Sequence, residues 1–586
     1  MRKESMSLPE FLDPEKIIPI SRSTTHVFKT GSWGSRHPLY QEKASPCREP
    51  CPAGNNIPKA LFCASQGDMD GALAAFLEEN PLPGVCGSVC YHPCESKCNR
   101  GEWDDALHIR ELERAASEYG SGLPEILSTE GAGDPVAVIG SGPAGLSAAY
   151  HLARLGYPVT LFEREDELGG LLRYGIPRYR LPGHVLKNDI DRILSLGIKV
   201  QTGVTVDKKY IEELGRKYTA IFVALGAHQS LVPDIPGTEF DGALAGLDFL
   251  MGARKGTCQS VEGKVVVIGG GNVAIDAAMT ARKLGADEVE LVCLENREEM
   301  PAHARECEDA LEEGVVFQNS WGPKRILGKA ERVSGVEFVR CVSAFDTQGR
   351  FNPVFDEDET FIRHADLAIF AVGQKPDLER FQLEELLKDA EQDPIRSHYG
   401  PEETGIAGLF AGGEMVHVPG SVVEAVAAGK SAALSIHLSL KGNDFGERER
   451  EMLIGTGTSF SIEEGFRPRD DRDLGRVVVF EDIDPLFLNH QLAVAIPRLD
   501  PEKRWGNFDR VDQTLSKKKA VEEAGRCFFC GTCTGCDRCF LYCPEVCISP
   551  PGDEQAGYAS DAEYCKGCAI CESVCPRGII TMGTMR

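Results

Sequence analysis

The stretch that decides the fold is Val136-Ala-Val-Ile139, followed directly by Gly140-Ser-Gly142-Pro-Ala-Gly145. The apolar residues predict a buried strand, and the next residues, LSAAYHLARLG, have the pattern of a helix. The three glycines permit a tight turn, close approach of a pyrophosphate and close packing of helix on strand. A second strand, YPVTLFER, brings Glu163 to where it can accept a hydrogen bond from a ribose. Together these features predict a dinucleotide-binding fold, whereas the glycine motif alone is weak evidence.

The same pattern occurs a second time, as Lys264-Val-Val-Val-Ile268 followed by Gly269-Gly-Gly271-Asn-Val-Ala274 and the helix IDAAMTARKLG. The next strand, Glu288–Cys293, leads into Leu294, Glu295, Asn296 and Arg297. Two such folds in one chain are typical of flavoproteins in which one site holds FAD and the other delivers hydride from a nicotinamide nucleotide. The sequence therefore predicts the α/β class, with two Rossmann-like domains.

Length and composition limit the choice of partners. A chain of 586 residues predicts three or four domains. Its formal net charge of −27 repels nucleic acid and anionic membrane surfaces, so neither is expected as a partner. We find no apolar run of the ~18–20 residues that a membrane span needs. The first residues lack the apolar core of a signal peptide, so a cytoplasmic location is expected.

Most of the 22 cysteines fall into two dense groups. Seven lie between Cys47 and Cys98 and eleven between Cys527 and Cys575, and the other four are scattered (Cys258, Cys293, Cys307 and Cys341). Without a secretory signal, such grouping predicts metal binding rather than disulfides.

The C-terminal group has the spacing of a two-cluster bacterial ferredoxin, C-x2-C-x2-C-x3-C-P, in two copies. In this arrangement the fourth cysteine of each run binds the other cluster. One [4Fe–4S] cluster is thus predicted on Cys533, Cys536, Cys539 and Cys575, and the other on Cys565, Cys568, Cys571 and Cys543. A zinc ribbon fits less well, because zinc favours two CxxC pairs. A shifted register stays open, since Cys527 and Cys530 continue the spacing, and Cys547 is also surplus.

Residues 45–435 resemble the small subunit of glutamate synthase and its relatives. The shared segments are LGGLLRYGIPRYRLP (168–182), EEMPA (298–302), FAVGQKP (370–376) and LFAGGEMVHVPGSVVEAVAAGK (409–430). The resemblance implies FAD in the first fold and NAD(P)H in the second fold, which is inserted in the first. The cofactor contacts expected from the two fingerprints and the resemblance are Gly140, Gly142, Pro143, Ala144, Gly145, Glu163, Arg164, Gly170, Leu171, Arg173, Gly226, Gly269, Gly270, Gly271, Asn272, Val273, Asp276, Glu295, Asn296, Arg297, Gly373, Gly412, Gly413, Glu414, Ser421 and Val422.

The chain departs from this family at two places. The family usually has Asp where this chain has Glu414, a position beside the ribityl chain of FAD. Relatives that use NADPH carry two arginines where this chain has Leu294 and Glu295. A carboxylate there accepts hydrogen bonds from ribose hydroxyls and repels a 2′-phosphate. NADH is therefore expected to be preferred over NADPH, although Arg297 leaves phosphate binding open.

The N-terminal cysteines resemble the cluster-binding domain at the start of the glutamate synthase small subunit, which holds two [4Fe–4S] clusters. The resemblance assigns one cluster to Cys51, Cys90, Cys94 and the non-cysteine ligand Glu113. It assigns Cys47 and Cys98 to the other cluster, but the two upstream cysteines of the family are absent. Leu39 and Glu42 stand near those positions. One N-terminal cluster is therefore expected rather than two.

Five segments follow from these motifs and from composition. They are a helical N-terminal iron–sulfur domain (1–130), an FAD-binding domain (131–228 and 376–440), an NAD(P)H-binding domain (229–375), a polar linker arm (441–520) and an α+β domain of the bacterial ferredoxin type (521–586). The last segment is small and needs metal for its stability.

Together the segments predict an NAD(P)H:acceptor oxidoreductase. Hydride would pass from NADH to FAD, and single electrons would then pass through the clusters to a protein. No catalytic side chain is expected, because the cofactors carry the chemistry. C-terminal ferredoxin domains occur in relatives that serve other acceptors than glutamate synthase does. These relatives include soluble NAD(P)H-dependent metal reductases and the flavoprotein associated with dissimilatory sulfite reductase, so sulfite reductase and ferredoxin are candidate partners, with the direction of flow open.

Three other kinds of protein share part of this pattern. A disulfide reductase shares the two-fold layout but needs a CxxC beside the flavin, and residues 131–440 contain none. An electron-relay subunit of a larger complex would not need the second fingerprint. A glutamate synthase small subunit would not carry the C-terminal ferredoxin segment, and we find no glutaminase or FMN-barrel sequence. A partner subunit or a homodimer is compatible with the sequence.

Overall fold

The computed structural model describes residues 29–128, 133–383, 402–403, 408–416, 420–443, 450–467, 472–552 and 557–584. These residues form two compact units. The larger unit contains the described parts of Lys43–Phe480 and Asn489–Thr532. The smaller unit contains the described residues up to Glu42, Glu481–Leu488 and the described residues from Cys533 onward. No helix within these ranges is long and apolar enough to cross a membrane.

The first nucleotide fold is built on a six-stranded sheet in the larger unit. Its strands lie in the spatial order Glu402–Glu403, Leu409–Ala411, Ala220–Val223, Val136–Ile139, Val159–Phe162 and Lys199–Gln201. Neighbouring strands are parallel except for the first pair. The helices of this fold are Pro143–Arg154, Leu171–Tyr174, Gly183–Leu194, Lys208–Leu214, Leu378–Phe381 and Val422–Lys441, with a 3-10 turn at Gly413–Met415.

The long helix Val422–Lys441 packs unusually close to the helix of the first fingerprint. A Cβ on Gly429 would lie 2.1 Å from the carbonyl oxygen of Ala144, so no larger residue fits at this crossing. The helix begins with a capping box, in which Ser421 Oγ accepts from the Glu424 amide and the Glu424 carboxylate accepts from the Ser421 amide. Its N-terminus is thus fixed beside the first fingerprint.

The second nucleotide fold has a five-stranded parallel sheet. Its strands are Val316–Asn319, Glu288–Cys293, Lys264–Ile268, Leu367–Phe370 and Ala243–Ala245 in spatial order. The helices Gly246–Lys255, Asn272–Lys283 and Ala304–Glu312 belong to this fold. Two antiparallel sheets accompany it, one of Trp321–Lys329, Arg332–Phe345 and Phe351–Arg363, the other of Gln229–Ser230 and Gln374–Lys375.

The cysteine-rich N-terminal residues of the larger unit form short helices, as their patterns predict. They are Ile57–Ser65, Met69–Leu77, Pro83–Val89, Pro93–Ser96 and Ile109–Tyr119, with a 3-10 turn at Asn99–Glu102. Asn56 and Asp68 cap the first two helices by accepting from backbone amides. The core that these helices share also contains Leu515, Ala520 and Ala524, from the helix Lys517–Gly525 and the residues before it.

Residues 441–520, which composition predicts as a linker arm, contribute to the core where they are described. Met452, Phe460 and Ile462 are buried in the same hydrophobic cluster as the first nucleotide sheet. The regular elements of this segment are the helix Ile462–Phe466, the strand Arg472–Val477 and the 3-10 turns Phe480–Asp482, Pro485–Phe487 and Pro501–Lys503. Its polar composition hid this packing because the buried residues are spaced irregularly.

The smaller unit combines C-terminal and N-terminal residues. The strand Arg36–Tyr40 pairs antiparallel with Ile580–Thr584, and Ile548–Ser549 pairs with Ala559–Ser560. The helices are Arg538–Leu541 and Ile570–Ser573, with a 3-10 turn at Thr30–Trp33; the strand Glu42–Ala44 leads into the larger unit. A unit with so few residues gains core from the added strand, because Tyr40 packs on the cluster around its cysteines.

Candidate functional sites

The turn of the first fingerprint is shaped for a phosphate group. Gly140 has a φ of +98°, and a Cβ there would lie 2.3 Å from the carbonyl oxygen of Ala224, so only glycine fits. A Cβ at Gly142, in contrast, would meet nothing within 4 Å. The turn therefore leaves open space at the N-terminus of the helix that starts at Pro143, where the helix dipole favours a pyrophosphate.

One large cavity extends from this turn along the ends of the central strands. The fold brings twelve of the expected cofactor contacts into its lining: Gly140, Gly142, Pro143, Ala144, Glu163, Arg164, Gly170, Leu171, Gly226, Gly412, Gly413 and Glu414. The size of this set and the open turn fit FAD, which the resemblance assigns to this fold. FAD supplies the exchange between two-electron hydride chemistry and one-electron chemistry.

Glu163 is held at the edge of this cavity by the turn itself. Its carboxylate accepts hydrogen bonds from the amide of Ser141 (2.9 Å) and from the Ser141 hydroxyl. The other oxygen accepts from the amide of Glu165 (3.0 Å). Because the side chain is fixed after the second strand, it can receive a ribose hydroxyl without rearranging.

Glu414 is a carboxyl group in apolar surroundings within the same cavity. Burial raises its pKa to about 7, and the nearby Glu424 carboxylate contributes to the shift. The group can therefore exchange a proton near neutral pH while it lines the flavin cavity.

Five expected cofactor contacts have other positions. A Cβ on Gly145 would lie 1.9 Å from the Gly140 carbonyl oxygen, so this glycine serves packing. Arg173 donates from Nε to the Leu168 carbonyl (2.6 Å). Ser421 and Val422 begin the long helix, and Gly373 contacts Leu231. The sequence pattern also missed Tyr174, which lies in the shared segment 168–182, and His228 and Met251, which line the cavity from segments without a motif.

Among these missed residues, His228 has a pKa that its surroundings lower. Burial and the adjacent Arg164 lower its pKa to about 4, so the imidazole is neutral at pH 7. Nothing in the local sequence around residue 228 signals this position.

The turn of the second fingerprint repeats the geometry of the first. A Cβ on Gly269 would lie 2.2 Å from the Ala371 carbonyl oxygen, whereas one on Gly271 would meet nothing within 4 Å. A Cβ on Gly270 would lie 2.6 Å from Glu295 Oε2, so the Glu295 carboxylate lies directly against this turn.

The other expected contacts of this fold are engaged with neighbours. Asn272 donates from Nδ2 to the Tyr91 hydroxyl (2.6 Å). Asp276 is paired with Arg180 (2.7 Å) and so belongs to an ion-pair network, while its cofactor contact stays a prediction. Asn296 accepts from two following amides. Val273 packs on the core of the second fold, and the Arg297 guanidinium lies 4.7 Å from the centre of the Phe317 ring.

A smaller cavity among the N-terminal helices is lined by Cys51, Cys90, Cys94 and Glu113, the set that the resemblance implies, and also by Cys86. Glu113 Oε1 accepts from the side-chain amides of Asn80 (2.9 Å) and Asn55 (3.2 Å). Burial raises the pKa of Glu113 to about 8. The expected ligands Cys47 and Cys98 are not part of this lining; they lie in the adjacent helical core.

In the smaller unit, Cys533, Cys536, Cys539 and Cys575 surround one cavity, which is the first predicted ferredoxin set. The second predicted set is also close together, since the thiols of Cys565, Cys568 and Cys543 all raise the pKa of Cys571. Cys547 lies beside that set, with its Sγ 3.6 Å from Cys543 Sγ. The fold thus brings residues 533–575 into the two groups that the spacing predicts.

The donor sets fit iron–sulfur clusters better than single metal ions. Across the described ranges, no three His, Cys, Asp or Glu side chains converge closely enough to hold one ion. Zinc draws its thiolates to about 2.3 Å from one centre, whereas each cysteine of a [4Fe–4S] cluster binds a separate iron. Cysteine ligands around a cluster therefore stand farther apart.

Known protein families match the nucleotide-binding, N-terminal and C-terminal parts of the chain. Residues 134–429 match the pyridine nucleotide-disulphide oxidoreductase family. Residues 40–122 match the family described as dihydropyrimidine dehydrogenase domain II, 4Fe-4S cluster, and residues 558–581 match a 4Fe-4S binding domain.

Curated relatives agree with these matches. The chain is 37% identical over 427 residues to the NADP(+)-dependent formate dehydrogenase subunit beta of Moorella thermoacetica, covering 68% of this chain and 60% of that protein. It is 34% identical to the NADPH-Fe(3+) oxidoreductase subunit beta of Geobacter sulfurreducens (84% of this chain, 76% of that protein). It is 33% identical to the glutamate synthase [NADPH] small chain of Azospirillum brasilense (67% and 86%). The chain therefore belongs to the pyridine nucleotide-disulphide oxidoreductases and, among them, to the glutamate synthase small-chain group, as an electron-transferring oxidoreductase that uses FAD, NAD(P)H and [4Fe–4S] clusters.

Proposed function

We propose that this chain takes hydride from NADH at its second nucleotide fold and delivers single electrons to a protein acceptor through its iron–sulfur clusters, in a reaction that can run in either direction. The observation that carries the proposal is that one chain has two open dinucleotide turns together with separate cysteine-lined cavities. The turns position the two nucleotides, and the clusters are the one-electron carriers.

The proposed preference for NADH rests on Glu295. Its carboxylate contacts the Gly270 turn, which is where the adenosine ribose of a bound nucleotide lies in such folds. Two like charges about 4 Å apart near a protein surface repel by roughly 4 kcal/mol at an effective dielectric constant of about 20. A tenfold preference needs only about 1.4 kcal/mol, so partial screening still leaves a measurable effect.

Arg297 is the residue that could reverse this preference. Its guanidinium stacks on Phe317, and one of its nitrogens lies 3.6 Å from Met300 Sδ. These contacts hold the guanidinium within the loop that follows the strand Glu288–Cys293. The proposal therefore gives Arg297 a supporting role in the loop and assigns ribose recognition to Glu295.

The test compares kcat/KM for NADH and NADPH in the anaerobic holoenzyme. We expect the wild type to prefer NADH at least tenfold, and Leu294→Arg/Glu295→Arg to shift the ratio toward NADPH at least tenfold. Glu298→Arg, an exposed position on the same loop, adds a positive charge without touching the turn and is the matched control. A wild type that prefers NADPH, or equal shifts in both variants, would contradict the assignment.

The acceptor is proposed to be a partner protein. Two relatives are named as beta subunits and a third as a small chain, which suggests that this chain also works beside a larger subunit. The chain spans 60% of the length of the formate dehydrogenase subunit, so that protein's whole activity is not transferred. Anaerobic co-purification identifies the partner. Recovery of sulfite reductase or ferredoxin supports a terminal-reductase role, whereas a glutaminase-containing subunit would favour glutamate synthase.

A further inference from the structure

Cys527 and Cys530 precede the ferredoxin runs in sequence but do not belong to the smaller unit. The division between the units falls after Thr532, so both cysteines lie in the larger unit with the N-terminal helices. Cys527 and Phe529 are in the same hydrophobic core as Cys47 and Cys98. Cys47, Cys98 and Cys527 therefore share one core, and Cys530 is buried one residue after Phe529 of the same core.

Backbone contacts fix the CxxC loop against the segment before Cys47. The amide of Lys43 donates to the Gly531 carbonyl (2.9 Å). Gly531 has a φ of +75°, and a Cβ there would lie 2.2 Å from the Lys43 carbonyl oxygen. The two backbone segments are therefore in direct contact at this point. Cys530 directly precedes Gly531, and Lys43 lies four residues before Cys47. The contact between Gly531 and Lys43 therefore holds Cys530 close to the segment that leads to Cys47.

A second set of contacts joins the same loop to Cys98. Asn99, the next residue, donates from Nδ2 to Cys530 Sγ (3.5 Å) and to the carbonyl of Val478 (3.2 Å). Val478 in turn donates its amide to Ala44 (3.0 Å). The loop is thus held on one side by the residues before Cys47 and on the other by the residue after Cys98.

The thiols themselves interact. The thiols of Cys98, Cys527 and Cys530 are all near enough to the Cys47 thiol to act on it electrostatically. None of the four is in a disulfide.

The surroundings suit a buried anionic cluster. The Phe529 amide donates to Cys527 Sγ (3.3 Å), and hydrogen bonds to the sulfurs are among the features that set cluster potentials. The side chains of Arg100 and Arg526 are buried next to the loop, where Arg100 donates to the Arg526 carbonyl (2.8 Å) and stacks on Phe528. Both guanidinium groups are ion-paired, Arg100 with Asp104 and Arg526 with Glu523 (2.7 Å), so the Phe529 amide is the contact here that favours an anionic sulfur.

We propose that Cys47, Cys98, Cys527 and Cys530 are the four ligands of an additional [4Fe–4S] cluster. The C-terminal CxxC supplies the two ligands that the N-terminal segment lacks. The residues near the positions of the family's two missing cysteines have other roles. Leu39 lies in the strand that pairs with Ile580–Thr584 in the smaller unit. With the cavity of Cys51, Cys90, Cys94 and Glu113 and the two ferredoxin sets, the chain then has four clusters. This inference does not depend on the nucleotide or the acceptor of the proposed function.

Iron and acid-labile sulfide analysis of the anaerobic holoprotein tests the proposal. The wild type should contain about sixteen irons per FAD, at four per [4Fe–4S] cluster. Cys527→Ser/Cys530→Ser should contain about twelve, and its dithionite-reduced EPR spectrum should lose one signal while the FAD content is unchanged. Cys63→Ser, in the same helical core but outside the four, is the matched control and should keep about sixteen.

The shared site predicts a result that independent sites would not give. Cys47→Ser/Cys98→Ser should lose the same four irons and the same EPR signal. The quadruple variant should also lose only four, because all four cysteines serve one cluster. About twelve irons in the wild type, full iron content in Cys527→Ser/Cys530→Ser, or a loss of eight in the quadruple variant would each overturn the proposal. The wild-type count decides the matter even where a variant fails to fold.

Discussion

Replacing Lys430 with Met should weaken the larger unit and loosen its bound flavin. Lys430 is completely buried on the helix Val422–Lys441. Its ammonium group donates to the carbonyls of Ala53 (2.6 Å) and Phe460 (2.6 Å) and to Glu79 Oε2 (2.9 Å). One charge therefore joins the helix Val422–Lys441, the segment after Cys51 and the segment after residue 450.

The magnitude follows from what the change leaves behind. Lys430→Met keeps the volume but leaves Glu79 as a buried carboxylate without its closest cation, and breaking such a pair costs about 3–5 kcal/mol. Glu79 keeps bonds from the amides of Ile462 (3.1 Å) and Glu463 (3.3 Å), which favours the lower end of that range. Glu79→Gln/Lys430→Met should cost less than the sum of the single changes, because the double variant buries no unpaired charge.

The assay is the anaerobic temperature of FAD release, followed by flavin fluorescence at one scan rate. A loss of 3–5 kcal/mol corresponds to a decrease of roughly 3–5 °C for a unit of more than 400 residues, at about 2.1 cal/mol/K of unfolding entropy per residue. Lys441→Met, at the exposed end of the same helix, is the control and should lie within about 1 °C of the wild type. If Lys430→Met also stayed within that interval, or if the two single changes were additive, the reasoning about the buried charge would be wrong.

Two further predictions concern proton binding and the electron path. The pKa of Glu414 is about 7 in the folded, flavin-free protein and 4.5 in the unfolded chain. Between these pH values the folded protein keeps a proton that the unfolded chain has lost. The contribution of this group to stability therefore falls by up to about 3 kcal/mol as the pH rises from 4.5 through 7. Glu414→Gln should therefore raise the Tm of the flavin-free protein at pH 8 and leave it nearly unchanged at pH 5, and an equal shift at both pH values would contradict this. A chain that ends at Thr532 should keep NADH-dependent flavin reduction, but it should pass electrons to its protein acceptor at less than one-tenth of the wild-type rate. A chain that ends at Ala520 should also lose iron from the larger unit. A full rate in the longer truncation would make the N-terminal clusters the exit.

The features that the sequence predicted best are those carried by short local motifs. Both fingerprints form the predicted strand, turn and helix, because the residues that need each other are neighbours in sequence. The spacing of Cys533, Cys536 and Cys539 likewise predicts a group that the fold closes with Cys575.

Features that depend on residues far apart in the sequence could not be predicted from it. Asp276 forms an ion pair with Arg180, which lies almost a hundred residues earlier, and no local pattern predicts that pair. The strand Arg36–Tyr40 has no pattern that announces Ile580–Thr584 as its partner. Cys527 and Cys530 continue a ferredoxin spacing, and only the fold shows that they lie on the other side of the division between the units.

The packing of Leu515, Ala520, Ala524 and Phe529 on the N-terminal helices also sets an order of events during synthesis. The helix Ile109–Tyr119 leaves the ribosome about 400 residues before these partners do. At about 5–20 residues per second, the first helices wait roughly 20–80 s with part of their apolar surface uncovered. Throughout that interval Cys47 and Cys98 have no access to the end of the chain. The core of the N-terminal helices is therefore completed only when Leu515–Phe529, made about 400 residues later, can pack on it.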